Sequence, residues 1–464
     1  MHYVSTRGQA PHLAFDDVLL TGLARDGGLY VPESWPRLDA DAQRSLRGLP
    51  YPALAARVMA PFVGDTVAED DLKRILEDAY AGFHHAAVAP LRQAGPETWV
   101  MELFHGPTLA FKDYAMQVVG RLFDHVLERR NSRLTIVGAT SGDTGSSAIE
   151  ALRDRDNIDV VILHPKGRVS PIQQRQMTTV QAANVHNVAV DGTFDDCQAL
   201  VKALFGDDAF RDEVNLSAVN SINWARILVQ IVYYFHAGLA VGAPDRGLAF
   251  SVPTGNFGNV FAGWAARAMG LPVEQLVVGS NRNDILTRFF ETGHMTTGPV
   301  QPTLSPSMDI QVSSNFERLL FELYARDGAT VDRLLTTLRE HGGFAVDDAR
   351  WRAALALFDG DRRDDAATRD AITRHWRATG ELLDPHSAIG LDVGTARRRD
   401  PATPLVSLAT AHPAKFPDAV EQATGRHPAL PDRLADLMTL EETYAELPVD
   451  AGVLKSFVRE RIGP

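Results

Sequence analysis

The sequence predicts an α/β protein of two domains with mostly parallel sheets, extended by an N-terminal segment and a helical insertion. Short apolar runs alternate with amphipathic helical segments between about residues 95 and 280, as in parallel α/β layers. Two of these runs end in loops of small residues, 138–145 and 253–259. The chain has 464 residues, of which 45% are hydrophobic. At roughly 100–200 residues per domain, this length suits two to four packed domains.

The first 95 residues are predicted to pack on the larger domain as an N-terminal segment. Residues 1–30 contain short apolar pieces and glycines, and the run 26–32 predicts a turn followed by a short strand. Residues 39–90 have apolar side chains at helical spacing, with an expected break at Pro61.

Residues 96–225 are predicted to form a smaller α/β domain. Its strands are expected at 99–103, 134–137, 160–163 and 185–190, and its helices at 109–129, 146–152, 171–181 and 194–204.

Residues 226–464 are predicted to form the larger α/β domain. Its elements are expected as a helix at 224–234, a strand at 248–252, a helix at 260–268, and strands at 276–280 and 404–409. Residues 328–400 are rich in arginine and aspartate and have mostly helical spacing. We interpret this insertion as a solvated helical face without a predicted function.

Composition and charge exclude several classes of protein. The chain carries 46 basic and 59 acidic residues, a net charge of −13, which disfavours nucleic-acid binding. The single cysteine, Cys197, excludes an internal disulfide, and the 15 histidines have no metal-ligand spacing, so no metal is expected. No signal segment precedes the chain's first elements, and no apolar run reaches the ~18–20 residues of a membrane span. We therefore expect a cytoplasmic protein without a membrane or nucleic-acid partner.

Lysine is rare in this chain, which makes a lysine inside a dense motif informative. The chain has six lysines and forty arginines, so arginine supplies most of its positive charges. Lys112, Lys166 and Lys415 are therefore candidates for a role that an amine can fill and a guanidinium cannot. Lys112 follows a Gly-Pro turn, and Thr108 is the expected cap of the helix it enters. The positive end of the helix and apolar neighbours both lower the pKa of this amine. Lys112 is thus a candidate Schiff-base lysine, and an exposed helix lysine is the alternative.

The two small-residue loops are candidate anion sites. Each follows a strand and precedes a helix, the arrangement that presents backbone N–H groups to an anion. Neither matches a Walker loop or Gly-x-Gly-x-x-Gly, so ATP and NAD are poorly supported. A tight connection without a ligand is the alternative for each loop. Together, the two loops suggest two anionic groups to be held.

Two later segments supply further polar candidates. In the segment 220–226, Arg226 can bind a phosphate or carboxylate through two parallel hydrogen bonds. In the segment 408–416, His412 and Lys415 are expected to form a surface pair. Gly-x-Ser-x-Gly is absent, so a serine hydrolase is unsupported.

These segments together resemble the threonine synthase family, which uses pyridoxal phosphate (PLP) and has the tryptophan-synthase-β-like fold, PLP fold type II. The resemblance covers nearly the whole chain, and the short N-terminus is similar to the bacterial and fungal branch. It rests on the segments 3–8, 26–32, 105–113, 139–145, 165–173, 191–202, 220–226, 255–259, 384–386 and 410–416.

The resemblance implies roles for individual residues. Lys112 matches the lysine that holds PLP covalently, and Thr410 matches the hydroxyl residue facing the pyridine nitrogen. The chain departs from many fold relatives at Asp143, where they have an asparagine beside the cofactor's phenolic oxygen. A carboxylate there requires a shared proton or a side chain turned away. The cradle of the cofactor phosphate matches Gly255, Asn256, Phe257, Gly258 and Asn259, and the substrate lining matches Thr140, Ser141, Thr144, Asn220, Ser221 and Arg226.

The reaction implied by the resemblance converts O-phospho-L-homoserine and water to L-threonine and phosphate, by γ-elimination and β-hydration. Two alternatives stay open. A serine/threonine dehydratase-like PLP lyase of the same fold acts on unphosphorylated amino acids, which leaves the second anion pocket and Arg226 without a use. A non-catalytic phosphometabolite-binding protein keeps the loops without the chemistry. We expect a monomer or a homodimer.

Overall fold

The computed structural model describes residues 1–217 and 220–462, and most of its strands lie in two sheets that are largely parallel. The predicted α/β class is therefore confirmed. The strands of the described residues are β1 (Tyr3–Ser5), β2 (Tyr30–Pro32), β3 (Leu91–Gly95), β4 (Thr98–Glu102), β5 (Leu134–Ala139), β6 (Ile158–Pro165), β7 (Val185–Val190), β8 (Leu216–Ser217), β9 (Leu248–Pro253), β10 (Val273–Ser280), β11 (His294–Thr296), β12 (Gly343–Ala345), β13 (Phe358–Arg362), β14 (Leu405–Ala409) and β15 (Ala445–Leu447).

Helices cover both sheets and account for much of the remaining chain. The α-helices of the described residues are α1 (Phe15–Thr21), α2 (Ala40–Ser45), α3 (Tyr51–Val63), α4 (Glu69–Tyr80), α5 (Lys112–Arg130), α6 (Asp143–Leu152), α7 (Pro171–Thr178), α8 (Phe194–Phe205), α9 (Asp208–Glu213), α10 (Trp224–Ala240), α11 (Gly258–Ala268), α12 (Ile285–Thr292), α13 (Phe316–Leu323), α14 (Gly328–His341), α15 (Asp348–Leu355), α16 (Asp365–Thr379), α17 (Pro385–Arg397), α18 (Pro417–Thr424) and α19 (Ala451–Arg461).

The larger sheet has six strands in the order β13-β10-β9-β14-β4-β3. Every neighbouring pair is parallel except β4 and β3, which form an antiparallel edge. Strands β9 and β14 are buried along their whole length, as expected for parallel strands covered on both faces. Because β9, β14 and β4 are parallel neighbours, the loops that follow them meet at one edge of the sheet.

The smaller sheet has five parallel strands in the order β15-β7-β6-β5-β8. Its central strands β5 and β6 are almost entirely buried, and α6 follows directly after the loop that leaves β5. Helices α5 and α6 pack against each other.

The N-terminal segment packs on α10 through α1 and α3, and on α5 through α1 and α4. The hydroxyl of Tyr3 donates a hydrogen bond of 2.8 Å to the carbonyl of Phe62, which fixes β1 against α3. The predicted break at Pro61 is wrong: Pro61 lies inside α3, within three residues of its end. A proline removes the hydrogen bond donated to the preceding turn, and this loss leaves the last turn of the helix in place.

Two strands cross the predicted domain limits. Strand β4 lies in the predicted smaller domain, 96–225, yet it pairs with β14 in the larger sheet. Strand β15 lies in the predicted larger domain, 226–464, yet it pairs with β7 in the smaller sheet. Sheet membership therefore does not follow the limits at residues 95 and 226, because the chain crosses between the sheets at both ends.

The insertion 328–400 differs from the predicted solvated helical face. It contains β13, which extends the larger sheet beside β10, and α17, which packs on β9, β10 and β14. The start of α17 is fully buried, including Asp384 just before it and His386 within it. Many arginines of this insertion form ion pairs with nearby carboxylates. The number of charged residues in the sequence therefore gave no indication that α17 is packed and buried.

Candidate active site

Lys112 is the first residue of α5 and lies at the edge of the larger sheet where β4 and β14 end. The prediction that Thr108 caps this helix is wrong, because the N-cap residue of α5 is Phe111. The hydroxyl of Thr108 donates to Oδ1 of Asp113 at 2.6 Å, and its N–H donates to Oδ2 of the same residue at 2.8 Å. The buried Asp113 carboxylate therefore closes the turn before α5 and sets the direction in which Lys112 leaves the helix.

The amine of Lys112 is held in its neutral form more readily than an ordinary lysine. Its side chain is only 13% exposed. The pKa of Lys112 is lowered to about 8, mainly by burial and also by the neighbouring cations Arg226 and Lys415, against the attraction of Asp143. This environment confirms the direction of shift predicted from the helix start and its apolar neighbours.

Asp143, at the start of α6, is the anionic centre of the site. Its Oδ1 lies 2.6 Å from Nζ of Lys415 and accepts a hydrogen bond of 2.7 Å from Nε2 of Gln173. Its Oδ2 lies 3.8 Å from Nζ of Lys112. Burial alone would raise the pKa of the Asp143 carboxyl, but the two ammonium groups outweigh it and hold this pKa well below its usual range. The carboxylate therefore stays ionised at neutral pH.

Lys415 was expected in a surface pair with His412, and the structure contradicts this. Its side chain is fully buried, and its ammonium binds Asp143 and donates 2.9 Å to the carbonyl of Thr108. His412 is partly buried against the ring of Phe104, with ring centroids 5.3 Å apart. The rarity of lysine in the sequence was the signal that could have identified Lys415.

The loop 255–259 follows β9 and begins α11, at the same edge of the sheet as Lys112. Phe257 has a left-handed backbone, with φ of +64°, so the chain turns sharply before the helix. The loop is held from outside because Ser313 donates 2.7 Å to the carbonyl of Gly255, and the Asn315 N–H donates 3.0 Å to the carbonyl of Asn256. The first N–H groups of a helix have no partner within the helix, so the start of α11 can offer backbone donors to an anion.

The side-chain amide of Asn259 is relevant to the binding of a phosphate. Its side-chain oxygen accepts hydrogen bonds from the hydroxyls of Tyr233 at 2.6 Å and Tyr234 at 3.0 Å, which fixes the amide. Its buried Nδ2 then has no acceptor among residues 1–217 and 220–462. Close packing also requires glycine in this loop, because a Cβ at Gly255 would lie 3.1 Å from the Cα of Met308. The residues present therefore fit a compact anion such as a cofactor phosphate.

Thr410 follows β14 and lies beside the segment that carries Lys112. Its carbonyl accepts a 2.9 Å hydrogen bond from the N–H of Phe111, and its N–H donates 3.0 Å to Oγ of Ser387. Ser387 in turn donates to Asp384, which also accepts from Nδ1 of His386 at 2.8 Å. The start of α17 thus fixes the backbone of Thr410, a contribution that the sequence analysis missed.

The residues predicted to line the substrate pocket differ in burial and in their contacts. Arg226, in the first turn of α10, is almost fully buried and close enough to Lys112 to lower its pKa, while burial lowers the pKa of Arg226 itself to about 10. Thr140 is buried, and its hydroxyl oxygen accepts the N–H groups of Gly142 and Gly145, both at 2.9 Å, so it shapes the loop. Ser141, Thr144 and Ser221 are partly buried, and Asn220 is exposed.

Residues 1–217 and 220–462 contain no group of three or more His, Cys, Asp or Glu side chains arranged to hold a metal ion. No helix within them has the length and apolar character needed to cross a membrane.

Three family models match the chain. The model "Threonine synthase N terminus" matches residues 2–80, "Pyridoxal-phosphate dependent enzyme" matches residues 85–404, and "Threonine synthase, C-terminal" matches residues 387–458. The middle match covers more than half of the chain and includes Lys112 and both small-residue loops.

Individual relatives agree with the family models. The chain is 56% identical to threonine synthase of Pseudomonas aeruginosa, over 99% of this chain and 98% of that one. Its structure matches PLP-bound threonine synthase of Brucella melitensis with a TM-score of 0.97, 52% identity and 99% coverage of each chain. It matches threonine synthase from yeast with a TM-score of 0.94, 39% identity, and coverage of 99% and 98%. The predicted PLP fold type II is confirmed, and the chain belongs to the threonine synthase family of pyridoxal-phosphate-dependent enzymes.

Proposed function

We propose that this chain converts O-phospho-L-homoserine and water to L-threonine and phosphate, with Lys112 as its catalytic residue. The proposal rests mainly on a buried amine of lowered pKa that lies 3.8 Å from the ionised Asp143 and feels the charge of a buried arginine. Such a site offers a proton acceptor beside fixed positive charge, which suits a substrate that carries a phosphate.

Pyridoxal phosphate supplies the electron sink that carbon–hydrogen cleavage next to an amino group requires. We propose that Lys112 binds its aldehyde carbon covalently and that its phosphate binds to Gly255, Asn256, Phe257, Gly258 and Asn259. The spare Nδ2 of Asn259 and the N-terminus of α11 support this assignment. The hydroxyl of Thr410 is proposed to face the pyridine nitrogen, and a neutral hydroxyl there does not protonate that nitrogen.

Substrate recognition is proposed to depend on Arg226. Its guanidinium would bind the substrate phosphate through two parallel hydrogen bonds, in a buried setting where such bonds are strong. Ser141, Thr144, Asn220 and Ser221 are proposed to complete the lining, and Thr140 to hold the loop 140–145 in shape.

Lys112 is proposed to carry the proton transfers. Its neutral amine would accept the proton from the substrate Cα, and a second proton would then leave Cβ. The electron pair left at Cβ expels phosphate as the Cγ–O bond breaks, and Lys112 would return a proton to Cγ. Water then adds at Cβ, and Cα takes up a proton before L-threonine leaves. Positioned acid–base catalysis of this kind contributes about 10²–10⁴-fold per step. An amine with a pKa near 8 serves both directions of transfer at neutral pH, whereas an ordinary lysine is almost entirely protonated.

The experiment compares three substrates with the purified holoenzyme. We expect phosphate and L-threonine in equal amounts from O-phospho-L-homoserine, and no ammonia from L-serine or L-threonine. The Lys112→Ala variant should lose this activity, and the control Lys202→Ala, at an exposed position on α8, should keep it. Ammonia release from L-serine at a higher rate would assign the chain to the dehydratase-like lyases, and full activity of Lys112→Ala would refute the proposed role of this residue.

We also propose a cytoplasmic location and a monomer or homodimer. The single cysteine, Cys197, is free and lies on the buried face of α8, which is compatible with a reducing compartment. Light scattering of the purified protein would determine the oligomeric state.

A further inference from the structure

The strongest unexplained feature is a buried ion pair beside the reacting lysine. Nζ of Lys415 and Oδ1 of Asp143 lie 2.6 Å apart. Both side chains are almost completely buried, so solvent screens their charges little.

The geometry shows how the carboxylate is shared. Oδ1 of Asp143 is engaged by Lys415 at 2.6 Å and by Gln173 at 2.7 Å, whereas Oδ2 is 3.8 Å from Nζ of Lys112 and 3.4 Å from the hydroxyl of Ser307. Lys415 is further fixed by the carbonyl of Thr108. Asp143 is thus bound closely to Lys415 and stands beyond hydrogen-bond distance from Lys112.

The charged groups around Lys112 come from four elements. On α5 itself Asp113 is hydrogen-bonded to Thr108, α6 supplies Asp143, α10 supplies Arg226, and the turn 413–415 supplies Lys415. Lys415 and Arg226 oppose a positive charge on Lys112, and the two carboxylates favour one. The balance depends on Lys415, because it both repels Lys112 and occupies Asp143.

We propose that Lys415 is a positioning residue that holds the Asp143 carboxylate away from Lys112 and compensates its charge, so that the nitrogen of Lys112 exchanges protons near neutral pH. This inference rests on the proposed function of Lys112. In an asparagine-containing site no compensation is needed, whereas here an isolated carboxylate would draw a proton onto Lys112 and keep it there.

The test is a double-mutant cycle read by a spectroscopic pH titration of the holoenzyme. The cofactor absorbance reports protonation at the nitrogen that Lys112 contributes, independently of turnover. Lys415→Met removes a cation near this nitrogen, so the titration midpoint should rise by about one pH unit or more. Asp143→Asn removes an anion and should lower it. The double variant Asp143→Asn/Lys415→Met should return to within about 0.3 units of the wild type.

Two controls separate this role from a general loss of structure. Lys415→Arg keeps a cation that can bind Asp143, so its midpoint should stay closer to wild type than that of Lys415→Met. Lys455→Met breaks a lysine–aspartate pair of similar length, Nζ to Asp207 at 2.5 Å, away from Lys112, and should leave the midpoint unchanged. If Lys415→Met does not fold, two measurements still test the proposal. The midpoint should fall in Asp143→Asn and should return toward the wild-type value in the double variant.

The possible results are distinguishable. Opposite shifts in the single variants, cancelling in the double variant, support the proposal. Midpoints that stay at the wild-type value, or that shift in the same direction in both single variants, overturn it. A wild-type holoenzyme without a cofactor band that borohydride bleaches would instead refute the proposed function of Lys112, which is a separate failure.

Discussion

Replacement of Arg318 by methionine tests how the site is held together by the rest of the molecule. Arg318, in α13, is fully buried. Its guanidinium donates to the carbonyl of Tyr30 at 3.1 Å, to the carbonyl of Ile222 at 2.7 Å and to Oδ1 of Asn315. These acceptors belong to the N-terminal segment, the segment before Arg226, and the loop that supports Asn256, so one side chain joins three separate parts of the site.

The magnitude follows from those contacts. Arg318→Met leaves three oxygens with one donor fewer, and a hydrogen bond to a charged group contributes about 1.5–3 kcal/mol. Burial of the Arg318 guanidinium is itself unfavourable and lowers the pKa of this group to about 9. Removing the cation removes this cost, and this offsets part of the loss in stability. We therefore expect the free energy of unfolding to fall by about 3 kcal/mol, in the range measured when one partner of a buried charged network is removed.

The assay is urea unfolding followed by tryptophan fluorescence, with a parallel titration of cofactor affinity. Arg318→Met should lower the urea midpoint and weaken cofactor binding, because the Asn315 N–H binds the carbonyl of Asn256. The matched control is Arg352→Met, at a side chain that is 78% exposed and 3.9 Å from Asp348, where we expect a change within about 0.5 kcal/mol. A loss below about 1 kcal/mol for Arg318→Met, or equal losses in both variants, would refute this reasoning.

Three further predictions concern the site itself. Because the pKa of Lys112 is lowered to about 8, kcat should increase with pH through a midpoint near 8, and a midpoint near the ordinary value of about 10.4 would contradict this. Arg226→Met should reduce kcat/KM for O-phospho-L-homoserine by about 10–100-fold, as loss of a charge-assisted phosphate contact requires; an unchanged value would exclude Arg226 from phosphate binding. Gly145→Ala places a Cβ 2.5 Å from Cγ2 of Thr140 and should cost about 1–3 kcal/mol of stability, measured by urea unfolding, whereas Gly82→Ala, which meets no atom within 4 Å, should be neutral.

Local signals in the sequence predicted most of the elements that surround the site. The loops at 138–145 and 253–259 follow β5 and β9 as expected, and Lys112 lies in the first turn of α5. These features depend on apolar periodicity and on glycine and proline at the ends of elements, which neighbouring residues determine. The fold class and family followed from the motifs taken together.

The missed features depend on contacts between residues distant in sequence. Lys415 had the appearance of a surface residue, because nothing near it in the chain indicates that it binds Asp143 and Thr108. Strand β13 carries Asp359, Asp361 and Arg362, a composition typical of loops, and is stabilised by pairing with β10 at the sheet edge. The arginine-rich sequence around α17 suggested a solvated surface, so the burial of this helix was not predicted. Tertiary packing decides each of these cases.

The central claim is that the amine of Lys112 carries the cofactor. Borohydride reduction of the freshly isolated holoenzyme, followed by protease digestion and peptide mass spectrometry, tests it most directly. The account predicts one reduced pyridoxyl-phosphate adduct, on the peptide that contains Lys112, and none on the peptide that contains Lys415. An adduct on another lysine, or no adduct on any, would contradict it.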